Sequence, residues 1–188
     1  MEQNMEPMSP MFDTPILLLI FNRPEQTRQL ITQLRQLKPR QLFVSAAGPR
    51  PGNAQDAIQC QAARDVINEV DWPCEVLTRY SSENQGCDPS VSSGISWFFQ
   101  HVEDDCLADL SFFYFCQTLL EYYRDDTRVM HISGSNFQDG QKRGDGSYYF
   151  SQQPLIWGWA TWRRAWQHFD PNMRTFPQFQ KQNKIAHL

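Results

Sequence analysis

Three consecutive carboxylates, Glu103-Asp104-Asp105, sit between the aromatic runs Trp97-Phe98-Phe99 and Phe112-Phe113-Tyr114-Phe115. Adjacent acids repel, so packing alone gives no reason to set three together between apolar blocks. A divalent cation would: carboxylate oxygens suit Mg²⁺ or Mn²⁺, and such a metal is commonly shared with substrate phosphates. The competing reading is that Asp104 and Asp105 end one helix and begin the next, solvated beside a positive helix N-terminus. A second chemistry-bearing cluster is Trp157, Trp159, Trp162 and Trp166, four indoles within ten residues. Trp162 and Trp166 are four apart, which predicts stacking on one helix face. Large aromatics bury well, so core packing is the first reading and a platform for a sugar ring the second.

The elements that must position these groups belong to a chain of 188 residues, one domain's length and enough for a sizeable core. With 40% hydrophobic, 20% charged and 13% aromatic residues the composition suits a globular protein. Net charge is −4 with no Lys or Arg block, so nucleic acid is not an expected partner. The five cysteines form no C-x-x-C pair and describe neither a zinc site nor a disulfide framework. They suggest a reducing compartment. The run Pro15–Phe21 is too short to span a bilayer, and the acidic residues before it do not resemble a signal peptide. A cytoplasmic protein without a transmembrane segment is expected.

Residues 1–14 are Met-rich and polar and are expected to be disordered. Ile16–Phe21 has the unbroken apolar pattern of a strand buried on both faces. Pro24 suits a helix's first turn, Leu30, Leu34 and Leu37 follow at helical spacing, and Lys38-Pro39 stops the helix. Gln41–Ala46 predicts a second strand. Asn53 predicts the cap of a helix whose apolar side is Ile58, Ala62, Val66 and Val70, and Cys74–Tyr80 a third strand. Strand, helix, strand, helix, strand is the pattern of a parallel sheet with right-handed crossovers. Ligands of such sheets bind beyond the carboxyl ends of the strands, which places Asn22, Arg23, Ala47, Gly48 and Ser81–Gly86 on one rim. Asp88-Pro89 opens a helix whose stripe Val91, Ile95, Phe98, Val102 runs to Glu103 without a gap. Asp109 predicts the cap of a helix carrying Phe112, Cys116, Leu119 and Tyr123 on one face. Val129–Ser133 predicts a short strand, and Pro171–Leu188 a poorly ordered tail.

Six blocks occur in a telling order: Ile16–Phe21 with Asn22-Arg23-Pro24, Ala47-Gly48-Pro49-Arg50, Asn84-x-Gly86-Cys87, Glu103-Asp104-Asp105, His131-Ile132-Ser133-Gly134-x-Asn136-Phe137, and Trp157-Gly158-Trp159-Ala160-Thr161-Trp162. From about Pro15 to Asp170 the chain resembles the bacterial GT-A-fold glycosyltransferases (family 2-like) of the nucleotide-diphospho-sugar transferase superfamily. It is distantly similar to N-acetylglucosaminyltransferases with a Glu-Asp-Asp motif. The resemblance implies an α/β, three-layer α/β/α fold with a mostly parallel, Rossmann-like central sheet, occupying residues 15–170. It also implies transfer of a sugar from a nucleotide-diphosphate donor to a hydroxyl acceptor (a glycan or another hydroxyl compound), with Mn²⁺ or Mg²⁺. By the family pattern Asp105 holds the metal, Glu103 and Asp104 contact the ribose side of the donor, and Asn22, Arg23 and Gly48 meet the nucleotide. Asn136, Trp157 and Trp159 border the sugar and the acceptor.

The chain departs from that pattern in three places. The family usually has a hydrophobic strand between the preceding helix and the triplet, and about one strand's worth of residues, typically 5–6, is missing here. Either Trp97–Val102 leaves the helix and supplies that strand, or it stays helical; the intact 3.6-residue stripe predicts the helix. Ala47 stands where the family commonly has an acid facing the base. The family's general base lies beyond the tryptophan cluster, past the expected end of the matching region, leaving Asp170 and His168 as the nearest substitutes. The catalytic residue is therefore unassigned. The alternative expectation is an internally deleted, truncated relative that binds nucleotide sugars with impaired or no turnover.

Overall fold

The computed structural model describes residues 12–102, 104–107, 110–135, 141, 144–155 and 158–182, with the backbone alone at 104–107 and 110. Its first half alternates strand and helix: β1 (Ile16–Ile20), α1 (Pro24–Leu37), β2 (Gln41–Ala46), α2 (Ala54–Asp65), a 3₁₀ turn at Val66–Glu69, β3 (Glu75–Tyr80) and α3 (Cys87–Phe98). The second half holds β4 (Asp104–Leu107), α4 (Leu110–Tyr122), β5 (Ile132–Ser133), β6 (Trp159–Trp162), α5 (Arg163–Trp166) and α6 (Phe176–Lys181). This is the mixed α/β class that the alternating pattern predicts. β1, β2 and β3 form a parallel sheet with β2 in the middle, Ile16 opposite Leu42 and Gln41 opposite Glu75. β4 and β5 flank β6 in an antiparallel sheet, and β4 lies beside β1.

Side-chain alternation along the parallel strands splits the core in two. Ile16, Leu18 and Ile20 of β1 and Leu42 and Val44 of β2 pack with α1, α2 and α4. Leu17 and Phe43 point the other way and pack with Ile95 and Phe98 of α3. β1 is therefore apolar at every position because it is covered on both faces, and its residues 16–18 are at most 1% exposed. Truncating one such side chain, Leu18→Ala for example, costs about 2–5 kcal/mol. No helix among the described residues is long and apolar enough to cross a membrane.

The helix boundaries follow local chemistry. Pro24 starts α1, and Lys38 ends it in the left-handed conformation at φ 50° with its N–H on Leu34 O at 2.7 Å. Asn53 caps α2 by accepting from Asp56 N at 3.1 Å, as its position predicts. The expected apolar face of α2 needs correcting. Of the expected residues Val66 is buried and Val70 packs against the core, but Ile58 is 62% exposed, and within α2 the buried side is Asp56, Cys60 and Ala63, continued by Val66 and Ile67. That face was hidden because a carboxylate heads it.

α3 ends at Phe98, short of Val102. The backbone winds on through tighter bonds, Gln100 N to Trp97 O at 3.1 Å and His101 N to Phe98 O at 2.9 Å, before Val102 N returns to Phe98 O at 3.2 Å. Trp97–Val102 thus keeps its helical hand and supplies no strand. The strand that follows is made from the acidic segment itself, beginning at Asp104.

Trp162 and Trp166 do not share a helix face, contrary to their four-residue spacing. Trp162 is the last residue of β6 and is buried, donating Nε1–H to Leu120 O at 3.1 Å, whereas Trp166 closes the short α5. Strand pairing with β4 holds residue 162 extended, so the helical register starts one residue too late for that pair. At the two ends, Phe12 is buried against Phe113 and Tyr114, and α6 forms with no buried residue. Asp109, expected as a cap, lies outside the described residues.

Candidate functional site

The carboxyl ends of β1, β2 and β3 bring the segments 21–23, 47–50 and 81–86 together, and the connections between them are specific. Ala47 N donates to Ile20 O at 3.0 Å, Ser81 N to Ala46 O at 2.9 Å and Asn84 N to Pro49 O at 3.1 Å, so the ladder extends past each strand end. Asn84 ties the β2 and β3 turns further: its Nδ2 donates to Gly48 O at 3.2 Å and its Oδ1 accepts from Gly86 N at 2.9 Å. Gly48 is buried, and a Cβ there would lie 2.4 Å from Glu83 N, so only glycine lets the two turns approach. Arg64 of α2 reaches over from behind, donating to Ser81 O at 2.7 Å and Ala47 O at 3.3 Å with its guanidinium above the Tyr80 ring.

At the centre of this rim is a carboxylate that the periodicity did not single out. Asp56 is 3% exposed. Its Oδ1 accepts from Asn22 Nδ2 at 2.8 Å and Arg50 Nη2 at 2.9 Å, and its Oδ2 accepts from Arg50 Nε and from Arg50 N. Hydrogen bonding to Arg50, joined by Asn22, outweighs burial and holds Asp56 well below the usual carboxylate range. The group stays ionised and orients both neighbours. The signal in the sequence was its i, i+4, i+7 spacing with Cys60 and Ala63 together with Arg50 six residues upstream.

Among the residues expected to bind the donor, Asn22 is thus fixed by Asp56 and Gly48 serves the approach of the backbone. Arg23 precedes α1, its carbonyl accepting from Thr27 N and Oγ1, and its exposed guanidinium has no partner among the described residues. Of the triplet, Glu103 lies outside the described residues, as do the side chains of Asp104 and Asp105. Their backbones open β4 opposite Trp162 and Thr161, both buried. No group of three His, Cys, Asp or Glu among the described residues is placed to hold a metal.

The chain reaches the triplet from a defined direction. α3 crosses the sheet antiparallel to β2. Gly94 sits where a Cβ would be 2.9 Å from Ser45 Oγ, and the next turn down packs Phe98 edge-on to Phe43 at 4.9 Å with the His101 ring 5.7 Å away. Phe43 is three residues before the end of β2, so the helix delivers the triplet from the amino-terminal half of the sheet. Arg163 then holds Val102 O with two hydrogen bonds, at 2.8 and 3.1 Å. The described contacts do not join the triplet to the rim of Asn22, Arg23 and Gly48.

On the expected acceptor side, Asn136 and Trp157 lie outside the described residues. Trp159 stacks on His131 at 5.2 Å and on Trp166 at 6.3 Å. His131 donates Nε2–H to Leu155 O at 2.9 Å, and burial pushes its pKa below the ordinary histidine value, keeping the ring neutral. Asp170 accepts from Asn172 N, Arg174 N and Arg174 Nε at 2.9–3.1 Å, which lowers its pKa and weakens it as a base, and His168 is exposed in the turn after α5. No family model, curated protein or solved structure matches the chain.

Proposed function

We propose that this chain is a GT-A-like domain that binds a nucleotide-diphospho-sugar at the rim of its parallel sheet and transfers the sugar to a hydroxyl acceptor with Mn²⁺ or Mg²⁺. The observation that supports this best is the convergence of Asn22-Arg23, Ala47–Arg50 and Ser81–Gly86 beyond the carboxyl ends of three parallel strands, where open α/β sheets bind ligands. Helices on both faces of that sheet, with β4 beside β1, agree with a three-layer arrangement. Arg23, exposed and without a partner among the described residues, is the cation for the diphosphate, and Asn22, held by Asp56, presents a fixed amide to the nucleotide. In this reading Asp105 holds the cation, Glu103 and Asp104 face the ribose, and Asn136, Trp157 and Trp159 border the sugar and the acceptor. The metal supplies Lewis-acid stabilisation of the departing diphosphate and offsets repulsion between that anion and a net-acidic protein. The free cysteines fit a cytoplasmic setting.

A second reading, donor binding without turnover, is favoured by two observations. α3 brings the triplet in from the amino-terminal half of the sheet, and Asp170 is committed to Arg174. Calorimetric titration with a panel of nucleotide-diphospho-sugars, with and without Mn²⁺, combined with an assay for released nucleoside diphosphate, separates the two. Metal-dependent heat with release of diphosphate is the expected result. Heat without release selects the binding-only reading, and no heat with any donor contradicts both.

A further inference from the structure

The outer face of α3 forms one wall of an open groove of about 770 Å³, and the segment after β6 forms the other. Its volume lies within the range of roughly 300–1,000 Å³ usual for ligand sites. Pro89, Ser92, Ser93, Ser96, Trp97 and Gln100 line it at helical spacing, on the side of α3 away from its buried Gly94, Ile95 and Phe98. Opposite them stand Trp166, Gln167 and Phe169. Gln85, which also lines the groove, belongs to the rim segment 81–86, so the groove opens beside the rim; the other residues named here lie outside it.

The chemistry of the lining is distinctive. Trp166 and Phe169 stack in parallel, 4.3 Å apart at 11°, and Trp166 Nε1 donates to Ser96 Oγ at 3.1 Å, which locks the two walls together. Trp166 also stacks on Trp159 at 6.3 Å, and Phe169 at 49% exposure offers aromatic surface to the groove. Trp97 supplies a second aromatic surface, fixed edge-on against Phe43 at 5.5 Å. Between the aromatics, Gln100 and Gln167 are exposed amides without a hydrogen bond among the described residues. Ser92 and Ser93 direct their protons to the carbonyls of Asp88 and Ser90, leaving oxygen lone pairs to accept. No carboxylate lines the groove among the described residues, and its cation, Arg79, is turned toward Ser45 Oγ at 3.4 Å.

We propose that this groove binds a neutral oligosaccharide. A pyranose ring has a C–H face that packs on an aromatic ring and a rim of hydroxyls that both donate and accept. Rigid aromatics alternating with amides that have no hydrogen bond among the described residues, and with serine oxygens that can still accept, match both properties. An anionic ligand would need more free positive charge than the groove holds, and an apolar peptide would leave the two amides unpaired. The site does not depend on the nucleotide-sugar reading.

The test uses the full chain and hexasaccharides of the cello, malto, manno and chito (N-acetylglucosamine) series, read by tryptophan fluorescence, since Trp97 and Trp166 line the groove. The expected result is a saturable change with at least one series, a rise in Kd of fivefold or more in Phe169→Ala and in Gln100→Ala, and near-native affinity in Phe169→Tyr. The melting temperature of Gln100→Ala, an exposed substitution, should be unchanged. Absence of a saturable response to every series overturns the proposal, as do equal affinities in both alanine variants. A response to a proline-rich peptide in place of any hexasaccharide overturns it too. Nucleotide-sugar heat measured on Gln100→Ala should equal that of the parent chain, so failure here is distinguishable from failure of the rim.

Discussion

The parallel half and the antiparallel half of this molecule are held together differently. In β1–β2–β3 every strand has five or six residues, and backbone ladders satisfy the peptide groups. Apolar side chains cover both faces of β1 and β2, while β3 is partly exposed. In β4–β6–β5 the strands have two to four residues, too few to pair the backbone around them, and side chains do that work. Arg164 alone donates to the carbonyls of Tyr123, Arg124, Asp126 and Val129 at 2.9–3.2 Å while stacking on Trp162 at 4.2 Å. Thr161 Oγ1 donates to Met130 O at 2.8 Å, Trp162 Nε1 to Leu120 O and Arg163 to Val102 O. A ladder distributes its stability over many equivalent bonds. A set of side-chain anchors concentrates it in a few residues.

That contrast predicts a graded set of outcomes. Arg164→Ala should be the most damaging, about 2–4 kcal/mol by denaturant unfolding, because it takes the side-chain donor from four carbonyls, of which Tyr123 O and Asp126 O keep a backbone partner, and removes a cation–π contact. Arg164→Lys should recover little, since a point charge cannot span four acceptors. Loss below about 0.5 kcal/mol would break the comparison. Gly48→Ala comes next, at about 1–3 kcal/mol, because the added methyl meets the Glu83 backbone, which cannot rotate away as a side chain would.

Asp56 sharpens the comparison through pH. Its folded pKa is depressed, so its contribution to stability is fully present above the unfolded value of about 3.9 and is lost as pH falls toward the folded value. Melting temperature should therefore drop steeply below about pH 4, and Asp56→Asn should be less stable at pH 7 but show a shallower acid slope. An unchanged slope would show that Asp56 is not the residue responsible. The smallest effect is expected at Ile58→Ser, within about 0.5 kcal/mol, because that side chain faces solvent.

The same contrast explains what could be read from the sequence. β1 and β2 were legible because double-sided burial writes apolar runs, β3, more exposed, by its place in the strand–helix alternation, and the stop at Lys38 and the cap at Asn53 because each is a local hydrogen-bonding choice. The buried face of α2 was not legible, because Asp56 is stabilised by Arg50 and Asn22, partners that only the tertiary fold brings to it. The placement of Trp162 escaped for a related reason. Its spacing from Trp166 is helical, and only pairing with the acidic segment makes it a strand residue. The rim was anticipated from topology alone, whereas the route by which α3 leads into the triplet depends on packing of Phe98 and His101 against Phe43, which no periodicity encodes.

The central claim is that the rim and the triplet form one metal-assisted donor site. The direct measurement is calorimetry of the parent chain, Asp105→Ala and Arg23→Ala with nucleotide-diphospho-sugars, with and without Mn²⁺, beside their melting temperatures. The account predicts Mn²⁺-dependent binding in the parent chain, its loss in Asp105→Ala with nearly unchanged melting, and a weakening of tenfold or more in Arg23→Ala. Full Mn²⁺-dependent binding in Asp105→Ala would contradict it.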